Sequence, residues 1–74
     1  MDVFEIVKDT IEEHSGLSNI TKDALLDNLG LDSLDIVEIS ARLEDSFSIE
    51  FTSEEIINLK TIGDIVSLIE QKTK

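Results

Sequence analysis

The 74-residue sequence contains no cysteine, proline, tryptophan or tyrosine, and it has only three phenylalanines. Without cysteine the chain can form no disulfide, no thiolate metal site and no thiol nucleophile, which fits a reducing compartment. Because aromatic side chains are so scarce, the core has to be built mainly from isoleucine, leucine and valine. The hydrophobic content of 41% is enough for such a core and argues against disorder.

Basic residues are also scarce, with six Lys and Arg against seventeen Asp and Glu, a net charge of -11. Such a chain repels the phosphates of nucleic acid and attracts basic protein surfaces. No apolar run approaches the length of a membrane span, and the N-terminus lacks a basic and apolar signal pattern. We therefore expect a monomeric cytoplasmic protein that binds neither nucleic acid nor membrane.

Hydrophobic periodicity predicts one domain over residues 1–74 with four helical segments. They cover about Asp2 to His14, Ser33 to Phe47, a short stretch that starts after Thr52 and ends near Leu59, and a stretch that begins at Thr61. The expected fold is all-α, a four-helix bundle of three main helices and one short helix, with a long first loop. The clean helical start and end favour a free-standing protein.

Capping residues mark the ends of several predicted helices. Asp2 with Glu5, and Thr52 with Glu55, have the spacing of capping boxes. Gly16 suits a left-handed helix end. Apolar residues are expected to anchor the loop over residues 17–31: Leu17, Ile20, Leu25, Leu26, Leu29 and Leu31.

The second helix has two apolar stripes where a bundle helix needs one. At about 100° per residue, Ile36, Leu43 and Phe47 share one side, with Ile39 nearby, and are predicted to face the core. A second, smaller stripe consists of Leu34, Val37 and Ala41, bordered by Glu38, Glu44 and Asp45. This stripe either covers the loop or a neighbouring helix, or it is a docking surface with acids for steering.

Ser33, within Asp32-Ser33-Leu34, lies where the loop meets the second helix. A serine there is usually an N-cap, but Asp32 can cap instead and leave the hydroxyl free. The single histidine, His14, lies across the loop, so a self-contained catalytic triad is disfavoured. A hydroxyl with no resident base suits the substrate of another enzyme better than a catalyst.

The frame around this serine resembles the acyl carrier protein family. It reads Leu29-Gly30-x-Asp32-Ser33-Leu34-Asp35-x-Val37-Glu38, then Leu43-Glu44-x-x-Phe47, then Ile49-Glu50 and Glu54-Glu55. The resemblance implies a 4'-phosphopantetheine arm transferred from coenzyme A to Ser33, between Asp32 and Leu34, and no catalytic activity. Acyl groups would be held on it as thioesters, with fatty acid biosynthesis as the expected pathway.

The resemblance also implies partners: a phosphopantetheinyl transferase (holo-ACP synthase) and acyl-transferring or fatty acid synthesis enzymes with basic docking patches. The residues expected to meet them are Asp35, Val37, Glu38, Ala41, Glu44 and Asp45. Arg42, the single basic residue from Asp32 to Glu55, departs from the family's pattern. The implied acyl pocket is lined by Leu43, Phe47, Phe51, Ile56, Leu59 and Ile65.

Other functions remain open at this point. The chain is alternatively a specialised polyketide, peptidyl or D-alanyl carrier, or an unmodified acidic interaction module. No metal site is predicted, because the segment from Asp27 to Glu38 fails the calcium-loop pattern and His14 has no second imidazole or thiolate beside it. Lys72 and Lys74 are expected to be ordinary C-terminal cations.

Overall fold

A computed structural model describes residues 2–73, and the prediction for Lys74 therefore lies outside the described residues. The four α-helices are α1 (Val3–Ser15), α2 (Ser33–Phe47), α3 (Ser53–Ile57) and α4 (Ile62–Lys72). A short 3-10 helix, η1 (Leu26–Leu29), precedes α2. The predicted all-α fold, with three main helices and one short helix, is confirmed.

The first helix is capped at both ends by local contacts. The Asp2 carboxylate accepts a hydrogen bond from the Phe4 amide at 3.1 Å. This single cap takes the place of the predicted capping box with Glu5. At the other end Gly16 adopts a left-handed conformation (φ 77°) and donates to the Glu12 carbonyl, as predicted.

The core lies where α1, α2 and α4 pack together, and its fully buried apolar side chains are all aliphatic, as the composition predicts. Each such side chain stabilises the folded state by about 1.5–3 kcal/mol when it is fully buried. The buried apolar residues are Val7, Ile11, Ile20, Leu26, Ile39, Leu43, Ile62, Ile65, Val66 and Ile69.

The segment from Leu17 to Leu31 is more ordered than the predicted loop. Besides η1, it pairs with the start of α4 through an isolated antiparallel bridge between Leu25 and Thr61. Backbone bonds join Leu26 to Lys60, Ile62 to Ala24, and Gly63 to Lys22. Leu17 and Leu25 are exposed, so their prediction as anchors is wrong.

Reciprocal caps fix the starts of the last two helices. The predicted box between Thr52 and Glu55 is confirmed, and a second box joins Thr61 to Asp64. Lys72 lies 3.0 Å from Glu55 and so ties the end of α4 to the start of α3. Within residues 2–73 no helix has the length and apolarity that a membrane crossing requires.

Candidate functional site

Ser33 is the first residue of α2, and its side chain is exposed. The helix is capped by Asp32, whose carboxylate accepts a hydrogen bond from the Asp35 amide at 2.9 Å. In return, the Asp35 carboxylate accepts one from the Asp32 amide at 3.1 Å. Because this box satisfies the helix start, the Ser33 hydroxyl is not needed as a cap.

The position of Ser33 also favours an anionic substituent. It lies in the first turn of a 15-residue helix, where unpaired amides and the helix dipole attract negative charge. A phosphate ester on its oxygen would point away from the core, because the side chain is exposed. The site therefore combines an accessible hydroxyl with the favourable end of the helix dipole, beside the carboxylates of Asp32 and Asp35.

His14 lies much closer to this site than the sequence indicates. Its Nε2 atom is 2.9 Å from Asp35 Oδ1 and 3.6 Å from Glu38 Oε2. The hydrogen bond from His14, followed by that from the Asp32 amide, lowers the pKa of Asp35. In sequence His14 lies across the loop from Ser33, but the last turn of α1 packs beside the start of α2 and brings the His14 side chain to Asp35.

These three groups also place one donor atom each within 4.8 Å of one another. The sequence argument against a metal considered only imidazole and thiolate partners, and it overlooked the two carboxylates. Because the ionised Asp35 can only accept, the His14 Nε2 atom carries the proton of this hydrogen bond. We describe the cluster as a hydrogen bond from His14 to Asp35, with the Glu38 carboxylate beside it.

The second stripe of α2 faces solvent and does not cover the loop or a neighbouring helix. Leu34 is 65% exposed and Val37 52% exposed, and Ala41 is exposed as well. Of the acids beside it, Glu38 and Asp45 are exposed. An apolar strip with carboxylates along its edge is therefore available to a partner.

Two charged residues near this strip are already engaged. Glu44 is half-buried, and its Oε2 atom accepts a 2.7 Å hydrogen bond from the Phe51 amide. Arg42 donates a 2.7 Å hydrogen bond to Glu13 of α1. The bond at Glu44 gives that residue a structural role in the α2–α3 connection. The bond at Arg42 directs the cation toward α1.

A cavity of about 340 Å³ opens beside Ser33. Of the predicted pocket residues only Ile56 and Leu59 line it; Leu43 and Ile65 are buried in the core, and Phe47 and Phe51 pack against that core. The sequence reasoning missed the rest of the lining, because residues from η1 and its flanks form one wall. The full lining is Leu26, Asp27, Leu31, Asp32, Ser33, Ile36, Val37, Ile56, Ile57 and Leu59.

Comparison with known proteins agrees with this geometry. A family model described as the phosphopantetheine attachment site matches residues 3–69. An acyl carrier protein homolog of Mycoplasmopsis pulmonis is 47% identical over 57 residues, which cover 77% of this chain and 78% of that protein. The acyl carrier protein of Streptococcus pneumoniae is 38% identical over 76 residues, covering all of both chains.

Among solved structures, a candidate acyl carrier protein from Mycobacterium tuberculosis superposes with a TM-score of 0.89 at 30% identity. The match covers 93% of this chain and 96% of that one. The chain belongs to the acyl carrier protein family, whose members hold a covalent 4'-phosphopantetheine and act as carriers, not as catalysts.

Proposed function

We propose that Ser33 carries the 4'-phosphopantetheine arm and that the protein presents acyl thioesters to successive enzymes of fatty acid biosynthesis. It would act in the cytoplasm as a monomer. The observation that carries this proposal is the exposed hydroxyl at the first position of α2, next to a helix cap that does not use it.

The residues present fit the arm. In the loading reaction the Ser33 oxygen attacks the phosphorus of coenzyme A that bears the pantetheine. The new P–O bond forms as the bond to the nucleotide phosphate breaks, and 3',5'-ADP leaves. The serine proton passes to a base of the transferase, because the Asp32 and Asp35 carboxylates accept hydrogen bonds from backbone amides and not from the Ser33 hydroxyl. When bound, the arm supplies the thiol that forms thioesters, which this cysteine-free chain lacks.

The exposed strip beside Ser33 supports docking of a basic partner. Asp35, Glu38 and Asp45 provide carboxylates along the strip, while Leu34, Val37 and Ala41 provide apolar contact. Charges at the rim of an interface mainly steer association and set register. The proposed partners are a phosphopantetheinyl transferase and acyl-transferring enzymes that carry Arg and Lys around their active sites. Glu44 would contribute to docking through Oε1, because its Oε2 atom is bonded to the Phe51 amide.

The attachment site is tested by incubating the protein with coenzyme A, Mg²⁺ and a phosphopantetheinyl transferase, followed by intact mass measurement. We expect the mass of one arm to be added to the wild type and none to Ser33→Ala. The matched control is Ser53→Ala, because Ser53 is also an exposed serine that begins a helix just after a reciprocal cap. Loading of Ser33→Ala, or no loading of the folded wild type, would contradict the proposal.

The docking strip is tested by reversing one of its charges. Glu38→Lys should raise the KM for the carrier in arm transfer roughly fivefold, with helicity unchanged, because it turns an attraction for a basic partner into a repulsion. Glu70→Lys makes the same change in net charge at an exposed position of α4 and serves as the control. Equal KM values for the two variants would show that Glu38 makes no specific contact.

A further inference from the structure

We infer that His14 is a positioning residue: it holds Asp35 in place and, by taking up a proton, weakens the binding of basic partners. This inference rests on the proposed function, because it concerns the carboxylates of the docking strip. His14 belongs to α1 and lies outside that strip, yet it contacts two of its acids.

Both oxygens of Asp35 are held by hydrogen bonds. Oδ1 accepts from His14 Nε2 at 2.9 Å, and Oδ2 accepts from the Asp32 amide at 3.1 Å. The His14 side chain is only 16% exposed, so packing fixes the orientation of its ring. Asp32 directly precedes Ser33, and the chain of contacts therefore joins the last turn of α1 to the backbone beside the attachment site.

The charged groups that face His14 are Asp35 and Glu38, both from the start of α2. The neighbouring charges on its own helix are turned elsewhere: Glu13 binds Arg42, and Glu12 lies near Lys8 and the Ile20 amide. A positive charge on His14 would therefore interact mainly with these two carboxylates.

Histidine is the side chain that ordinarily changes its charge between about pH 5 and pH 8. When His14 is neutral, Asp35 and Glu38 present their full negative charge to a partner. When it is protonated, a positive charge lies within 2.9 Å of one carboxylate and 3.6 Å of the other. The attraction for Arg and Lys is then reduced, while the Ser33 hydroxyl itself is unchanged.

The experiment measures kcat and KM of arm transfer at about pH 6 and pH 8 for the wild type, His14→Gln and His14→Ala. Glutamine keeps a donor for Asp35 but cannot become charged, whereas alanine removes both properties. At pH 8 we expect His14→Ala to raise KM two- to fivefold, the size expected for an exposed charge contact, and His14→Gln to restore it. On moving to pH 6, KM should rise two- to fivefold more for the wild type than for His14→Gln, with equal kcat.

The control is Lys72→Gln, which removes a cation from the ion pair between α4 and Glu55. It shows whether a change in the net charge of the protein, without any change near Asp35, alters the pH profile. It should follow the wild-type pH profile. Parallel profiles for the wild type and His14→Gln would overturn the charge effect. An unchanged KM in folded His14→Ala at pH 8 would overturn the positioning role.

A second measurement does not depend on any transferase. In a carbon NMR titration, the side-chain carboxylate of Asp35 should shift between about pH 5 and pH 8 in the wild type and not in His14→Gln. No such shift in the wild type would overturn the inference by itself. Failure of the wild type to accept an arm at either pH, with the Asp35 shift present, would instead remove the proposed function and leave the contact established.

Discussion

Asp32 and Asp35 accept hydrogen bonds from each other's backbone amides, at 2.9 Å and 3.1 Å, and so close the first turn of α2 around Ser33. The same two carboxylates contribute to the negative rim of the attachment site. Under the proposed function, this pair of residues serves both helix stability and the electrostatics of docking, and different variants are needed to separate the two effects.

Substitution at Asp32 separates capping from charge. Asp32→Ala should lower the free energy of unfolding by about 1 kcal/mol, because the Asp35 amide loses its acceptor. Asp32→Asn keeps an acceptor and should preserve most of that stability while removing the charge. Urea unfolding followed by circular dichroism measures the difference. Equal loss in both variants would mean that the charge, and not the cap, stabilises this end.

Acid should remove stability contributed by Asp35 and Glu55. The pKa of Asp35 is lowered chiefly by His14, and that of Glu55 by the Thr52 amide and then by Lys72. A carboxyl whose pKa is lower in the folded state stabilises the fold fully above its unfolded pKa. That contribution is lost as the pH falls below about 4 and through the lower folded value.

Thermal unfolding between about pH 2 and pH 7 tests this expectation. The loss of stability in acid should be shallower in Asp35→Asn and in Glu55→Gln than in the wild type. Glu70→Gln, which removes an exposed carboxylate on α4, is the control. If all three variants match the wild-type profile, neither ion pair contributes to the pH dependence.

Ile56 limits the cavity beside Ser33. It is half-buried on α3 and lines the 340 Å³ space. Ile56→Ala should enlarge this space and slow the hydrolysis of longer acyl thioesters roughly twofold or more, because a deeper cavity shields the thioester from water. The half-life of the acylated protein is the measurement.

Leu68→Ala is the matched control, because Leu68 lies on α4 beside a shallower groove of about 280 Å³. It should leave the lifetime of the thioester unchanged. A similar effect from both variants would point to general loosening of the fold, and no effect from Ile56→Ala would reject the cavity as the place for cargo.

Gly30, two residues before the Asp32 cap, has a left-handed backbone with φ 75°. A side chain there would meet open space, so any cost of substitution comes from the backbone alone. Gly30→Ala should lower the free energy of unfolding by about 1–2 kcal/mol, and Gly30→Asn by less, since asparagine tolerates this conformation. Equal stability of the glycine and alanine proteins in urea would contradict this.

The start and end of α2 could be predicted from the sequence because their signals are local. Asp32 and Asp35 have the spacing of a reciprocal cap, and the structure places the helix at Ser33–Phe47, the predicted range. The burial of Ile39 and Leu43 likewise follows from helical spacing. Such features can be predicted because they depend only on residues within a few positions of one another.

What the sequence did not predict depends on how separate elements pack. The contact of His14 with Asp35 spans 21 positions and needs the rotation of two helices to be known. The bridge between Leu25 and Thr61 likewise joins a single loop residue to the start of α4. The lining of the cavity near Ser33 depends in the same way on how η1, α2 and α3 pack, whereas Leu43 and Ile65 are buried in the core.

The backbone bonds between the first loop and the start of α4 bear on how the cavity beside Ser33 would change in size. One wall of the cavity includes Leu26, whose backbone amide donates a hydrogen bond to the Lys60 carbonyl. We therefore expect the Leu26 amide to exchange its hydrogen slowly. The opposite wall is α3, a five-residue helix with no fully buried side chain. If the cavity holds the acyl group, we expect the cavity to grow or shrink by displacement of α3, which would leave the proposed docking end of α2 undisturbed.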